Sequence, residues 1–567
     1  MLQNFKIRSK FEFILLILLA SYSLGFAQSG KEPLMNSLLK RHIYVLAADS
    51  LDGRRTGTAG EQKAIQYILS QYELMGFNNT NKNVTKQKFE FNYGYEYTGA
   101  NEIRINDIAF KRDVDFFPLP GSASANLDLK DVRYAGYGIQ AADLNYNDYS
   151  TLKDSLAYII SLGSPEGENP HSKYYPYTDV SYKIKTAIQH GAKGIIIINT
   201  DSSRYDDIKK DFTKNAADKN IPIVFLKYSA ASKLNLSGQK PFSAQLTIAI
   251  RPVKREGTNV LAYLNNNSQN TVIIGAHYDH LGHGEDGNSL SGGAHEIHNG
   301  ADDNASGTAA VIELARILTT SKSKHNNYLF IHFSGEELGL IGSKYFVEHA
   351  PIDTASINYM INMDMIGRYQ QDKGLEISGL GTSPRAFDFI KKIEYDSLKI
   401  KLSEHGVGPT DHTSFYYANI PVLNFFTGTH EDYHKPGDDA HKINYDKQVS
   451  IIYLITQIID SLNNKGVLTF SKTKELNTTD MPAFKVKLGV IPDYMFEGNG
   501  LRIDGVNSGQ PASNAGMQKG DVIIQIGDYP VTDIMSYMKT LSMFSKGSKT
   551  TIRFIRNNQE TIADLQF

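Results

Sequence analysis

The 567-residue sequence contains no cysteine. This absence excludes disulfide bonds, thiolate metal ligands, cysteine nucleophiles and lipid attachment at a cysteine behind a signal peptide. Any metal ion that this chain binds must therefore be held by histidine, aspartate and glutamate side chains.

A surplus of charge of either sign is absent as well. The 59 basic residues and 61 acidic residues leave a formal net charge of -2. This balance excludes the basic footprint of a nucleic-acid-binding protein. Hydrophobic residues make up 41% and charged residues 21% of the chain, which is typical of a globular protein. The length predicts two to four domains.

Long apolar runs are confined to the N-terminus. Basic residues between Lys6 and Lys10 precede the apolar run Phe13–Ala20, and small residues up to Ala27 follow it. This pattern predicts a signal peptide over residues 1–27 and export to the periplasm or the medium. A membrane anchor is the alternative, but the run is short for a span of about 20 residues. We expect no membrane span after signal cleavage.

The pattern of apolar and turn-forming residues changes several times along the chain. Strand and helix patterns alternate between Asn259 and Asn464, which predicts an α/β sandwich with a mostly parallel sheet. Short strand patterns with many turn residues come before this segment. We therefore predict the following segments after the signal: 28–107 as the first part of a catalytic domain, 108–252 as a β-rich insert, 253–466 as the second part of the catalytic domain, 467–480 as a linker and 481–567 as a compact C-terminal unit.

Potential metal ligands follow the predicted strands. Open α/β sheets bind ligands beyond the carboxyl ends of their strands, so these segments should converge on one edge. The segments are Gly275-Ala276-His277-Tyr278-Asp279-His280, Gly300-Ala301-Asp302-Asp303-Asn304, Ser334-Gly335-Glu336-Glu337, Asn362-Met363-Asp364 and Tyr433-His434-Lys435-Pro436-Gly437-Asp438.

Each of these segments has an ordinary structural explanation when it is taken alone. An Asp-Asp-Asn turn before a helix normally caps that helix, and a His-x-Asp pair is usually a surface hydrogen bond. The five segments together, all at predicted strand ends, favour a metal site instead.

In this order the motifs resemble the co-catalytic zinc aminopeptidases, the relatives of bacterial leucyl aminopeptidase, aminopeptidase Y and glutamate carboxypeptidase. The resemblance covers about residues 36–77 and 259–464. It implies a zinc-exopeptidase α/β/α sandwich that binds two Zn²⁺ per chain and hydrolyses peptides with a free N-terminus. All five ligand positions of the family pattern are filled.

The resemblance also implies a role for each residue. His277 and Asp364 would hold one zinc ion, Glu337 and His434 the other, and Asp303 would bridge the two. A hydroxide on the two zinc ions would attack the peptide bond, with Glu336 as the general base. Tyr433 would donate to the oxyanion, Asp279 would fix the tautomer of His277, and Asp438 could do the same for His434.

Other polar residues near these motifs receive structural interpretations. We expect His280, His295 and His298 to belong to loop structure. Asp411 and His412 would lie in a short helix near the substrate pocket, and His430 could line its mouth. We expect Glu61 and the Arg54–Arg55 pair to cap and stabilise the N-terminal helices.

Two accessory domains complete the predicted chain. The 108–252 insert resembles a protease-associated domain through the segment Tyr134–Ile139 and the Asp148-Tyr149 pair. The C-terminal unit resembles a PDZ domain, with Leu488-Gly489-Val490 as its carboxylate-binding loop. Since PDZ domains bind extended peptides by strand addition, a C-terminal peptide ligand is a possible partner.

Aminopeptidase activity has three alternatives. A relative of the glutaminyl cyclases is disfavoured, because those enzymes work with one zinc ion and this chain retains the bridging and flanking ligands. A carboxypeptidase on the same fold would need cationic groups for the substrate carboxylate, and the sequence does not identify such a cluster. A catalytically inactive, PDZ-bearing binding protein should lack a metal ligand or the base, whereas Glu336 and the five ligands are present.

Overall fold

In the computed structural model, the chain divides into two compact units. One comprises Met1–Phe89 and Glu256–Phe567, and the other comprises Glu90–Arg255. The predicted signal peptide lies outside the described residues, as does the second half of the predicted linker, residues 474–480. The structure describes residues 31–567 apart from 79–80, 120, 153–156, 168–171, 175–176, 203–205, 207–219, 238–239, 292–294, 394, 396, 474–485, 494–495, 497, 508, 533 and 545–546.

Helices form where apolar residues recur at helical spacing behind a capping residue. Thr58 caps α2, because its side chain accepts a hydrogen bond from the Glu61 backbone N–H. None of the described helices combines the length and apolar character that crossing a bilayer requires. The helices are α1 Lys31–Leu46, α2 Ala59–Leu74, α3 Val180–Gln189, α4 Tyr228–Ala231, α5 Gly307–Thr320, α6 Ile341–Glu348, α7 Pro384–Phe387, α8 His412–Tyr417, α9 Tyr445–Leu462, α10 Pro511–Asn514 and α11 Ile534–Ser542.

The strands form three main sheets, and the strands of the second sheet lie between β1 (Lys82–Tyr97) and β12 (Ile250–Leu264) of the first sheet along the chain. The strands are β1 Lys82–Tyr97, β2 Glu102–Ile105, β3 Ile108–Phe110, β4 Phe116–Pro118, β5 Ala125–Tyr134, β6 Gln140–Ala141, β7 Tyr146–Asn147, β8 Ala157–Ser161, β9 Gly194–Ile198, β10 Ile223–Leu226, β11 Phe242–Ile248, β12 Ile250–Leu264, β13 Thr271–His277, β14 Asn327–Phe333, β15 Ile357–Met363, β16 Leu375–Ser378, β17 Ile400–Leu402, β18 Val422–Phe426, β19 Val490–Pro492, β20 Leu501–Val506, β21 Val522–Ile526, β22 Tyr529–Pro530, β23 Lys549–Arg556 and β24 Gln559–Gln566.

The sheet of the predicted catalytic domain has eight strands in the order β1-β12-β14-β13-β15-β18-β16-β17. Strand β13 runs parallel to both β14 and β15, and β15 runs parallel to β18. Every residue of β13, β14 and β15 is buried, as expected for parallel strands covered on both faces. The mixed, largely parallel α/β sheet confirms the predicted fold class.

Helices cover both faces of this sheet. Successive side chains of a strand point to opposite faces, so β13 contributes to two cores. Val272 and Ile274 pack in the core that includes α1, α2, α5 and α9. Ile273 packs in the opposite core with Phe346 of α6 and Phe415 of α8. The helices and sheet thus form an α/β/α sandwich.

The unit Glu90–Arg255 contains its own sheet, in the order β3-β2-β11-β5-β8-β9-β10-β4. Strands β5, β8, β9 and β10 run parallel in sequence order. The unit begins before the predicted residue 108, because β2 pairs with both β3 and β11. The assignment of this unit as a protease-associated domain stays a prediction.

The C-terminal sheet has the order β19-β20-β21-β23-β24, with β22 paired to β21. Its core includes Leu488, Ile503, Ile523, Ile552 and Phe554. Helix α11 contributes Tyr537 and Leu541 to the same core, so this sheet and helix form a small β-rich domain.

Candidate metal centre

The carboxyl ends of the central parallel strands carry the predicted ligands. Strand β13 ends at His277, β14 is followed by Glu336 and Glu337, and Asp364 directly follows β15. Asp303 lies in the single turn Ala301–Ser306 that leads into α5. Since neighbouring parallel strands end at one edge of the sheet, these side chains meet there.

The Asp303 carboxylate lies between the two predicted ligand histidines. Its Oδ1 is 3.3 Å from Nε2 of His277, and its Oδ2 is 3.3 Å from Nε2 of His434. The His277 Nε2 is also 3.4 Å from Oδ1 of Asp364, and the His434 Nε2 is 3.2 Å from Oε2 of Glu337. One carboxylate thus joins a nitrogen–carboxylate pair on each side, which is the arrangement of a bridging ligand.

The donor atoms fit metal ions. His277, Asp303 and Asp364 present ligand atoms within 4.8 Å of one another, as do His280, Asp303 and Glu337. The buried Oδ1 of Asp364 has no hydrogen-bond partner among the described residues, although a buried carboxylate oxygen requires one. Imidazole and carboxylate ligands of this kind suit zinc.

His280 lies nearer to the centre than the sequence suggested. Its Nδ1 is 2.8 Å from Oε1 of Glu337, the oxygen that faces away from His434. By contrast, the Nδ1 of His434 donates to the main-chain oxygen of Asn288 at 3.0 Å. The Nε2 of His434 therefore faces the carboxylates of Asp303 and Glu337. Metal-ligating histidines commonly hold their second nitrogen in this way. His434 therefore has the geometry of the ligand, and His280 orients Glu337.

The predicted partners of the ligand histidines differ from those in the structure. Nδ1 of His277 lies 3.1 Å from the main-chain oxygen of Asp279, whereas the Asp279 carboxylate is 3.7 Å away. That carboxylate instead accepts hydrogen bonds from Thr56 Oγ1 at 2.8 Å and from the Glu336 N–H at 3.3 Å. Asp279 thus positions the backbone of the predicted base.

Asp438 also has another role than the expected contact with His434. Its Oδ2 accepts hydrogen bonds from the backbone N–H groups of Asp302 at 2.9 Å and Asp303 at 3.0 Å. It therefore fixes the turn that carries the bridging carboxylate.

Burial and neighbouring charges shift the pKa values of Glu336 and Glu337 in opposite directions. Burial raises the pKa of Glu336 well above its ordinary range; His277 opposes this rise, and Asp364 and Glu337 add to it. Burial alone would also raise the pKa of Glu337, but His434 and the hydrogen bond from His280 lower it to about 2. A cation held by the neighbouring ligands would favour the ionised form of Glu336.

The predicted base and oxyanion donor both adjoin the ligands. Oε2 of Glu336 lies 3.9 Å from Nε2 of His277. The Tyr433 ring stacks on the His434 ring, with their centroids 3.9 Å apart. Asp411 lies close enough to the centre to interact electrostatically with its charged residues. Burial raises the pKa of Asp411 to about 7; His277 opposes this rise, and Asp279 and Asp364 add to it.

Arg54 is a structural element of the site that the sequence did not reveal. Its buried guanidinium donates to the main-chain oxygens of Tyr278 at 2.8 Å, Asn299 at 2.7 Å and Gly300 at 2.9 Å. As expected, Arg54 also caps an N-terminal helix, because its Nη1 donates to the main-chain oxygen of Leu46 at the end of α1. Its contacts in addition join two ligand-bearing segments. An arginine in a Gly- and Thr-rich break carries no sequence signal for this role.

The other histidines considered in the sequence analysis, His295, His298 and His430, contact segments beside the metal centre. Nε2 of His298 lies 2.7 Å from Ser289 Oγ, and the His295 main-chain oxygen lies 3.2 Å from Nδ1 of His283. His430 is buried with its Nε2 3.3 Å from Asp302 Oδ2. His295 and His298 lie in loop structure, as expected. His430 is 1% exposed, so the expectation that it lines the mouth of the pocket was wrong.

Comparison with known proteins agrees with this geometry. Residues 259–459 match the model of peptidase family M28, and residues 471–566 match that of the PDZ domain. Aminopeptidase YwaD of Bacillus subtilis is 28% identical over 300 residues, which are 50% of this chain and 60% of that protein. The probable lipoprotein aminopeptidase LpqL of Mycobacterium tuberculosis is 25% identical over 78% of this chain and 85% of its own length. The structure of BSAP, a zinc aminopeptidase from Bacillus subtilis, is 24% identical, covers 78% of this chain and 96% of that chain, and gives a TM-score of 0.42.

The fold and the site are those of a zinc metallopeptidase. More particularly, residues 259–459 are a peptidase family M28 domain, the co-catalytic zinc aminopeptidase family that the motifs resemble, and residues 471–566 are a PDZ domain.

Proposed function

We propose that this chain is an exported aminopeptidase that binds two zinc ions and removes N-terminal residues from peptides. The observation that carries the proposal is the Asp303 carboxylate, whose two oxygens each lie 3.3 Å from a histidine nitrogen. This is the arrangement that two metal ions sharing one bridging carboxylate require.

His277, Asp303 and Asp364 would hold one zinc ion, and Asp303, Glu337 and His434 the other. When bound, the two ions supply a polarised substrate carbonyl and an acidified water. Glu336 takes the proton of the attacking water and delivers it to the leaving amine. Asp279 fixes the Glu336 backbone through the 3.3 Å hydrogen bond, and Tyr433 donates to the developing oxyanion.

The carboxypeptidase alternative has less support. It requires a cation that is available to a substrate carboxylate. Arg54, a buried cation beside the ligands, is not available, because all three of its guanidinium nitrogens donate to main-chain oxygens. An inactive binding protein is disfavoured because the ligands and Glu336 converge.

Export is supported by the basic, apolar and small-residue pattern of residues 1–27 and by the description of the relative LpqL as a lipoprotein. The chain has no cysteine to carry such a lipid, so we propose release of the cleaved protein into the periplasm or the medium.

A comparison of two neighbouring carboxylates tests the catalytic proposal. The chain from Gln28 is assayed for bound zinc and for hydrolysis of amino-acyl amides, with N-acetylated and C-terminally blocked peptides in the same panel. We expect two zinc ions per chain and cleavage that requires a free amine. Glu336→Gln should keep the metal and lose about 10²- to 10⁴-fold in kcat.

Glu337→Gln is the matched control, because it removes a ligand instead of the base and should therefore lower the zinc content. Metal binding without cleavage of any free-amine substrate would overturn the aminopeptidase assignment. Equal loss of zinc in both variants would overturn the separate roles of the two glutamates.

A further inference from the structure

Three buried polar side chains join the PDZ domain to the peptidase domain. Asp504 of β20 is 3% exposed, and Lys373 and Thr429 of the peptidase domain are 4% and 2% exposed. Lys373 Nζ lies 2.5 Å from Asp504 Oδ2 and donates to the main-chain oxygen of Thr429 at 2.7 Å. Thr429 Oγ1 lies 2.9 Å from the same Asp504 oxygen and 2.7 Å from the main-chain oxygen of Pro492, at the end of β19. One carboxylate oxygen of the PDZ domain thus faces two donors of the peptidase domain.

Thr429 lies near the start of the segment that carries His434. This segment, residues 427–439, follows β18 and forms no helix or strand, so contacts with its neighbours fix its course. The Tyr433 N–H donates to the main-chain oxygen of His430 at 3.0 Å, which closes a turn between Thr429 and His434. The contact with the PDZ domain is therefore one short turn away from a predicted zinc ligand.

A second support of His434 also touches the PDZ domain. The main-chain oxygen of Asn288 accepts from Nδ1 of His434 at 3.0 Å, and the Asn288 amide donates to the main-chain oxygen of Glu337 at 3.3 Å. Lys487 Nζ of the PDZ domain donates to the main-chain oxygen of Gly287, the neighbour of Asn288, at 3.2 Å. The PDZ domain thus contacts both segments that hold His434.

The other predicted zinc position depends on the central sheet instead. His277 is the last residue of β13, and Asp364 directly follows β15. Strand β13 pairs with both β14 and β15. Because strand pairing fixes these two ligands, a change at the contact with the PDZ domain should leave them in place.

We propose that the PDZ domain is a structural part of the metal centre, in which Asp504 is a positioning residue for the zinc ion that Glu337 and His434 would hold. Through Lys373 and Thr429, Asp504 fixes the start of the segment 427–439 and so keeps His434 in its ligand orientation. This role requires no peptide on the PDZ domain. It rests on the proposed function for the two zinc ions and for turnover, whereas the restraint on His434 does not.

The affinities for the two zinc ions test this inference in the chain from Gln28. Zinc is titrated into the metal-free chain in competition with a chromophoric chelator, which gives both dissociation constants without any assay of activity. Asp504→Asn removes the charge that faces Lys373, and Thr429→Val removes the hydroxyl group that reaches the PDZ domain. Each variant should weaken one zinc ion by about three- to tenfold and leave the other within about twofold.

The expected loss is moderate because another contact also holds the segment. Asp432 forms ion pairs with Arg368 at 3.1 Å and with Lys442 at 2.9 Å, all within the peptidase domain. Side chains that touch a metal ligand directly are typically worth about 10- to 100-fold in metal affinity, and Asp504 acts from further away.

Two further variants identify the affected ion and exclude a general effect. Asp528→Asn, on an exposed aspartate of the PDZ domain, is the matched control and should keep both affinities. Glu337→Gln retains the ion at His277 and Asp364, so adding Asp504→Asn to it should leave the remaining affinity unchanged. Affinities in Asp504→Asn and Thr429→Val equal to those of the control would overturn the inference. Equal weakening of both ions would overturn it as well.

Turnover gives a second readout, because a misplaced ligand can be compensated by more metal. At limiting zinc, kcat of Asp504→Asn for an amino-acyl amide should be at least about threefold below that of Asp528→Asn. Saturating zinc should restore kcat to within about twofold. A loss of kcat that saturating zinc does not restore would overturn the positioning role.

Failure of the proposed function is seen in the unmodified chain, which would then bind fewer than two zinc ions. Hydrogen exchange of the metal-free chain decides the inference in that case. Asp504→Asn should speed amide exchange in the peptides that contain Tyr433 and Leu290, whose N–H groups donate to the main-chain oxygens of His430 and His434. Exchange equal to that of Asp528→Asn would overturn the restraint on His434.

Discussion

Glu61 is a buried carboxylate that serves the framework of the metal centre rather than its ligands. It accepts hydrogen bonds from Ser334 Oγ at 2.6 Å, the Gly57 N–H at 2.9 Å and the Thr258 N–H at 3.2 Å. Tyr278, the neighbour of His277, also donates to it at 3.1 Å. Its predicted role as a helix-stabilising residue therefore covers only part of its contacts.

The pKa of Glu61 makes stability depend on pH. Burial raises this pKa to about 7, although the hydrogen bonds from Ser334 and Gly57 lower it. Because the folded state holds the proton more tightly than the unfolded state, stability should fall as pH rises from about 5 to about 8. At 1.36 kcal/mol per pKa unit, the loss from this residue is about 2–3 kcal/mol.

Glu61→Gln removes the titrating group, so the stability difference between the unmodified chain and this variant should shift by that amount between pH 5 and pH 8. Urea unfolding in excess chelator measures it without metal linkage. Glu348→Gln, on an exposed glutamate, is the matched control. Parallel pH profiles for the unmodified chain and the Glu61→Gln variant would contradict the prediction.

At the scale of single residues, the sequence predicts roles that depend on the chemical type of a side chain. It does not predict roles that depend on main-chain atoms. His277, Asp303, Glu337, Asp364 and His434 were predicted as ligands, and the structure brings them together. The Asn288 oxygen that holds a ligand histidine could not be predicted, since every residue has such an oxygen.

At the scale of elements, strands covered on both faces are predictable because their apolar runs are continuous. Strands β15 and β18 are examples, since both are mostly apolar and almost wholly buried. The sequence did not reveal β16 and β17, which have only 4 and 3 residues and are too short for a recognisable pattern. Their places in the sheet depend on tertiary pairing.

The start of α5 is another feature that depends on tertiary packing. The Asn304 side chain accepts from the Gly307 N–H at 2.9 Å and donates to the main-chain oxygen of Met363 at 3.0 Å. It thereby fastens the Asp303 turn to the end of the strand that precedes Asp364. A Cβ on Gly307 would lie 2.4 Å from both the Asn304 Oδ1 and the Met363 oxygen.

Gly307→Ala should therefore destabilise the protein by about 1–3 kcal/mol, although alanine favours a helix over glycine by about 1 kcal/mol. The added methyl group should displace the Asn304 side chain and the Met363 oxygen. This displacement should weaken zinc binding, because it moves Asp303 relative to Asp364. Thermal unfolding of the apo chain and a competition assay with a chromophoric chelator measure the two effects. Gly94→Ala, with no atom within 4 Å of the added Cβ, is the control; a stabilised Gly307→Ala variant would refute the steric argument.

At the scale of the whole molecule, the sequence identifies the PDZ domain but not how it is attached to the peptidase domain. Lys373 and Asp504 lie in different domains, on either side of the predicted linker, and neither belongs to a recognisable motif. Long-range pairing of this kind has no local signature.

The buried Lys373–Asp504 pair predicts how strongly the PDZ domain is held. Removing one partner of a buried ion pair costs about 3–5 kcal/mol, because the other charge stays buried without compensation. Lys373→Met should accordingly release the contact around Thr429 and Pro492. The double variant Lys373→Met/Asp504→Leu should regain part of the loss, since it leaves no unpaired charge.

Hydrogen exchange measured by mass spectrometry locates this effect in the intact protein. We expect faster amide exchange in the peptides that contain Thr429 and β19 for Lys373→Met, with partial recovery in the double variant. Lys130→Met, which breaks an exposed pair with Asp128, is the matched control and should leave these peptides unchanged. Exchange in Lys373→Met equal to that in the control would mean that the buried pair does not hold the PDZ domain.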